Sequence, residues 1–268
     1  MYMKTSTFGS IAAAVLLGGA IAAYFYFQQE PPKPEPVQIE EQAPAEVLPE
    51  PPAPVKRQVL DTPSENTELP QLETSDSFIL DALADLVENK SLMSIFRMEQ
   101  LIHNFVATVD NLPNERAPMR TMPIAPAQGK FIMTENEGTM LISPKNKTRY
   151  ALYVKFAEEI DPKKLVELYV RLYPLFQQSY EELGYPDKYF NDRMMVVLDN
   201  LLAAPEIKEP VKLVQPKYYY LYADPDLEAR SVGQRILMRI GSDNEMIIKT
   251  KLKEIKQELI LRMHEKEI

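Results

Sequence analysis

The chain has 268 residues, no cysteine, no tryptophan and a formal net charge of −9. Without cysteine there are no disulfides, thiolate metal sites or cysteine nucleophiles, and the fold must be held by its own core. The charge is uneven: Gln28 to Asp76 carries eleven acidic and three basic side chains, whereas Ser77 to Ile268 carries 28 acidic and 26 basic, so the latter part shows neither a nucleic-acid footprint nor a steering field.

Residues 1–7 hold a single charged side chain, Lys4, and precede an uncharged, mostly apolar run from Phe8 to Phe27. Twenty residues at about 1.5 Å each make a helix of roughly 30 Å, the thickness of a bilayer's hydrocarbon core. Its last turn, Tyr24 to Phe27, is the aromatic cluster expected at the headgroup layer. The spacing therefore predicts one transmembrane helix over residues 8–27, with residues 1–7 as a cytoplasmic tail because Lys4 marks the positive end. A cleaved signal peptide is the competing reading, since Ala20, Ile21 and Ala22 form a small-residue site. The apolar run continues past it to Phe27, which favours an uncleaved anchor.

Residues 28–76 contain eleven of the 23 prolines, mixed with Glu, Gln and Ala and lacking apolar periodicity. This predicts a disordered, proline-rich acidic linker that spaces a domain from the membrane. Pro31, Pro32, Pro34 and Pro36 are also the kind of tract that aromatic grooves bind, but a spacer is the simpler role.

Residues 77–268 form the predicted soluble domain. Ser75 or Asp76 is positioned to cap a helix with Ile79, Leu83, Leu86 and Val87 on one face; a second helix carries Ile95, Met98, Ile102, Phe105 and Val109. Phe131 to Thr134 and Thr139 to Ile142 flank Glu-Asn-Glu-Gly as a short β-hairpin. A helix from Thr148 to Glu159 follows, and then a long one opened by Asp161 and Pro162, striped by Leu165, Leu168, Tyr169, Leu172, Phe176, Tyr180 and Leu183, kinked at Pro174 and ended by Gly184. The next begins near Pro186 or Asp187 and directs Phe190, Met194, Val197, Leu198 and Leu201 inward.

Val211 to Val214 and Tyr218 to Tyr222 read as strands, the second with two tyrosine rings inward. Ser231 caps a short helix to Ile240, and Ser242 with Glu245 has the pattern of a capping box for the last helix. That helix is striped by Ile248, Leu252, Ile255, Leu259 and Met263, with Lys249, Lys253 and Lys256 toward water. The fold class is thus mainly α, of α+β type: a helical domain with one or two short β-hairpins.

Few residues suggest chemistry. His103 stands four residues after Glu99 and His264 near the chain's last turn, each read as structural. The glycines outside the apolar run are scattered singly, which gives no phosphate-cradling loop. Asp192 and Asp199 lie about 10.5 Å apart along a helix axis, outside the carboxylate separations of about 5–9.5 Å that glycosidases use. Nothing indicates catalytic residues, a metal site or a cofactor. The densest stretch is Glu181 to Arg193, where a helix stop and a helix start gather Tyr185, Asp187, Tyr189, Asn191, Asp192 and Arg193 at one corner. These six are the candidate binding surface, set against the plainer reading that Asp and Arg there tie two helices together.

FVATVDNLP from Phe105 to Pro113, LYPLFQQSYEELGYPDKYFNDR from Leu172 to Arg193, LLAAPE from Leu201 to Glu206, YADPDLEA from Tyr222 to Ala229 and RIG at Arg239 to Gly241 resemble the domain of unknown function 3014 family. The resemblance implies a bacterial single-span protein with its C-terminal domain in the periplasm, and it implies no activity or cofactor. The expected role is a non-enzymatic binding or scaffold module anchored in the inner membrane by residues 8–27, with an envelope protein or cell-wall component as partner. The alternatives are a cell-wall-polymer hydrolase using Glu181, Asp187 or Asp192, and a small-ligand sensor.

Overall fold

The computed structural model describes residues 57–59, 69–207 and 210–265. The predicted transmembrane run Phe8 to Phe27 and most of the predicted linker lie outside them. Among the described residues no helix is long and apolar enough to cross a membrane.

In chain order the elements are β1 (Arg57–Val59), α1 (Asp76–Ala84), α2 (Leu101–Asn111), β2 (Met133–Asn136), β3 (Thr139–Ile142), α3 (Asn146–Arg149), α4 (Ala151–Glu159), α5 (Pro162–Glu182), α6 (Phe190–Leu202), β4 (Lys212–Val214), β5 (Leu221–Tyr222), α7 (Pro225–Glu228), α8 (Val232–Arg239), α9 (Ser242–Arg262) and β6 (Met263–Glu265). Short 3₁₀ turns stand at Leu72–Thr74, Lys90–Ile95 and Met119–Thr121. The domain is mainly helical, with a small four-stranded antiparallel sheet and, apart from it, a two-stranded pair of β1 and β6.

The central element is α5. Asp161 caps it, its Oδ1 accepting from Lys164 N at 2.9 Å, and Pro162 occupies the first turn, where its missing N–H costs nothing. The helix continues through Pro174 and buries two faces. Leu168, Leu172, Leu175, Phe176 and Tyr180 join Ile102, Val106 and Val109 of α2 with Phe190 and Val197 of α6 in the main core. Val166 and Val170 meet Leu198 and Leu259 in a second cluster on the α9 side. Phe176 stacks on Phe190 with ring centroids 6.0 Å apart, and Phe105 meets Phe176 edge-on at 5.4 Å. Helix α9 packs on α4, α5 and α6, so its apolar stripe is spent within the domain.

Two strand pairs that the sequence presents as separate hairpins join into one sheet of order β2-β3-β4-β5. Met133 faces Ile142, Met140 faces Leu213 and Leu213 faces Tyr222. The β2–β3 turn has Glu137 at φ 48 and Gly138 at φ 73, the double positive φ that suits the twist of a two-residue hairpin.

Several local expectations change. The second helix starts at Leu101, not near Ile95, and Met98, expected to face inward, is 72% exposed. Asp76 does not cap its own helix. Its carboxylate accepts from Gln100 N at 2.7 Å and Leu101 N at 2.8 Å, capping α2 instead, with Gln100 in the left-handed region at φ 52. Helix α6 begins at Phe190 rather than at Pro186 or Asp187. The capping box at Ser242 is not made: Gly241, at φ 94, is the N-cap, and Glu245 is buried.

Among the tyrosines 218–222, only Tyr222 is buried; Tyr220 packs on Phe131 at 5.8 Å, and Tyr218 and Tyr219 stand at 88% and 81% exposure because the chain there is hairpin loop rather than strand. Of the lysines placed toward water, Lys249 donates to Ala204 O at 2.8 Å and Lys256 pairs with Asp199. Within the predicted linker, Leu72 and Ser75 are buried, and β1 pairs antiparallel with β6, Gln58 opposite His264.

Candidate functional site

The corner between α5 and α6 is held by Gln177. Its Oε1 accepts from Tyr173 Oη and from Phe190 N, both at 2.9 Å, and its Nε2 donates to Glu181 Oε1 at 2.9 Å and Lys188 O at 2.8 Å. All four hydrogen-bonding positions of the amide are used, and one of them caps α6 at a position where Tyr189 makes no side-chain cap. Gly184 at φ 112 turns the chain out of α5, a conformation that side chains with a Cβ avoid.

The second tie crosses to α2. Asp110, buried at 8% exposure, places Oδ1 2.8 Å from Arg193 Nε and accepts at Oδ2 from Tyr185 Oη at 3.2 Å. Arg193 Nη2 donates in addition to the Asp110 backbone carbonyl. One guanidinium thus satisfies both the carboxylate and the last turn of α2, which is the economical way to bury a charge. Tyr185 stacks on Tyr180 at 4.7 Å, and Lys188 Nζ lies 5.1 Å from the Tyr185 ring centroid.

Above these ties opens a cavity of about 420 Å³. Tyr180, Tyr185 and Tyr189 give it an aromatic wall, and Asp187, Asp192 and Arg193 its charged rim. Burial first, and then the Asp110 carboxylate, push the Tyr180 phenol up to about 12. For Tyr185 the Asp110 charge comes first, with burial second, and its phenol is also raised. Burial raises Tyr169 and Tyr173 behind them. These phenols stay protonated at neutral pH: Tyr169, Tyr173 and Tyr185 donate hydrogen bonds, and Tyr180 offers its ring to Tyr185 and Phe190.

Five of the six predicted residues, Tyr185, Asp187, Tyr189, Asp192 and Arg193, line this one cavity. Asn191 does not. At 1% exposure it faces the core, its Oδ1 accepting from Tyr169 Oη at 2.5 Å. Sequence reasoning missed Gln177, Tyr180 and above all Asp110, which lies 83 residues before its partner.

The remaining candidates separate. Asp199 pairs with Lys256 of α9, away from Asp192. His103 is not beside Glu99 in a helix; its Nδ1 lies 3.0 Å from Ser179 Oγ and its Nε2 3.6 Å from Glu182 Oε2. A serine, a histidine and an acid in contact suggest hydrolysis, but Ser179 is 2% exposed on the inner side of α5, closed to a substrate, so the contact ties α2 to α5. Among the described residues no group of three or more His, Asp or Glu side chains is arranged to hold a metal ion.

A family model described as Protein of unknown function (DUF3014) matches residues 101–256, more than half of the chain. The matched segment holds α2, α5, α6 and so every part of the corner. Neither the curated proteins nor the solved structures provide a match.

Proposed function

The chain belongs to the DUF3014 family, and we propose that it is a non-enzymatic binding module of the bacterial cell envelope, anchored in the inner membrane by residues 8–27 with its folded domain in the periplasm. The corner of α5 and α6 is its recognition surface. One observation carries this reading: three tyrosine rings and the Asp187, Asp192 and Arg193 charges converge on one cavity, over a base fixed by Asp110 and Gln177. Tyrosine offers large contact area with few rotatable bonds, and a base that is already hydrogen-bonded needs no ordering when a partner arrives. The partner is an envelope protein or a cell-wall component.

In-cell photocrosslinking from a probe at Tyr189, with a probe at exposed Glu135 in the β2–β3 hairpin as control, tests the surface. A discrete protein or cell-wall adduct at Tyr189 alone is the expected result. Equal labelling from both probes sinks it and returns attention to the hydrolase reading through Glu181, Asp187 or Asp192 and to the ligand-sensor reading.

A further inference from the structure

A larger cavity, about 850 Å³, runs along α9, between that helix and the end of α6 with the segment that follows it. Ligand sites in proteins occupy about 300–1,000 Å³. Leu202, Ile207, Met246 and Ile260 supply its apolar lining; Met246 and Ile260 are 66% and 52% exposed. Glu245 stands in the same lining at 2% exposure, and its Oε1 has no hydrogen-bond partner. The nearest cation, Lys249 Nζ, is 4.0 Å from that oxygen and already donates to Ala204 O at 2.8 Å. Lys253, also in the lining, is exposed and makes no ion pair among the described residues.

A buried carboxylate oxygen without a donor is costly, and the missing partner is a group carrying N–H or O–H. Burial, and then Glu206 nearby, raise the Glu245 carboxyl above the usual range against the pull of Lys249, as expected for a carboxylate short of donors. The groove therefore offers an unmet acceptor at one end, an unmet cation further along and apolar surface between. Eight residues of helix separate Glu245 from Lys253, about 12 Å along the axis. An extended peptide covers that in about four residues.

We propose that this groove binds a short peptide with free termini, its ammonium hydrogen-bonded to Glu245 Oε1 and its carboxylate paired with Lys253. The peptide's side chains lie on Leu202, Ile207, Met246 and Ile260, and Lys249 moves aside to admit the ammonium. This site is separate from the α5–α6 corner and does not depend on it.

The tetrapeptide Ala-Leu-Leu-Ala with free termini, titrated calorimetrically into the purified full chain, tests this. The expected result is a dissociation constant of about 1 mM or tighter. N-acetylation or Glu245→Gln weakens binding about tenfold, with no further loss when the two are combined; C-amidation or Lys253→Ala does the same at the other end. The modified peptides keep the test intact even where a variant fails to fold. Absence of binding, or binding indifferent to blocking either terminus, overturns the proposal.

Discussion

Among single residues, Arg193 carries the charge that ties α6 to α2. Its guanidinium neutralises a carboxylate that is nearly buried and also binds a backbone carbonyl of α2, so removing it leaves Asp110 without a counter-charge inside the protein. Because the Arg193 side chain is a quarter exposed, the cost falls below that of a fully buried pair. Arg193→Ala should lower stability by about 2–3 kcal/mol in a denaturant titration, and Arg193→Lys should recover less than half of it, since one ammonium lacks the fork that reaches both acceptors. A loss well under about 1 kcal/mol would place the pair with ordinary surface ion pairs. The cluster Tyr185 to Arg193 is visible as a run of unusual residues. Asp110 is invisible in the same sense, because nothing local separates a buried aspartate from one at a helix end facing water.

Elements were legible where the signal is local. Asp161 with Pro162, Ser231 before α8 and the Glu137-Gly138 turn all act through neighbours two or three residues away. Signals failed where the partner is distant. Asp76 has the chemistry of a cap, but the amides it accepts from are those of Gln100 and Leu101, and Ser242 is displaced as a cap by a glycine. Gly233 is a further case. In a helix interior alanine is favoured over glycine by about 1 kcal/mol, so sequence alone predicts that Gly233→Ala stabilises α8. A Cβ there would lie 2.6 Å from Leu201 Cδ2, 3.1 Å from Leu112 O and 3.2 Å from Leu112 Cβ, while the Gly233 amide is already bonded to that carbonyl at 2.9 Å. The substitution should therefore destabilise by about 1–2 kcal/mol in a thermal melt, overpacking outweighing propensity. A rise in Tm would show that α8 can shift away from α2.

For the molecule as a whole, the proposed topology makes the simplest demand. A reporter active only in the periplasm, fused after Ile268, should be active, and activity of a cytoplasm-only reporter at the same position would overturn the anchor reading. The near-neutral charge of Ser77 to Ile268, the apolar run of Phe8 to Phe27 and the helical stripes of α5 and α9 are properties of composition and period, so the sequence by itself determined that a mainly helical domain lies behind an uncharged apolar segment. Only the tertiary structure decided that the two strand pairs share one sheet, that Asp110 and Arg193 meet and that Glu245 is buried beside a groove. Each of these depends on contacts between residues far apart in the chain. Helix and strand periods record which face is apolar, but not which other face it meets, and a polar residue's role is set by the partner that packing brings to it.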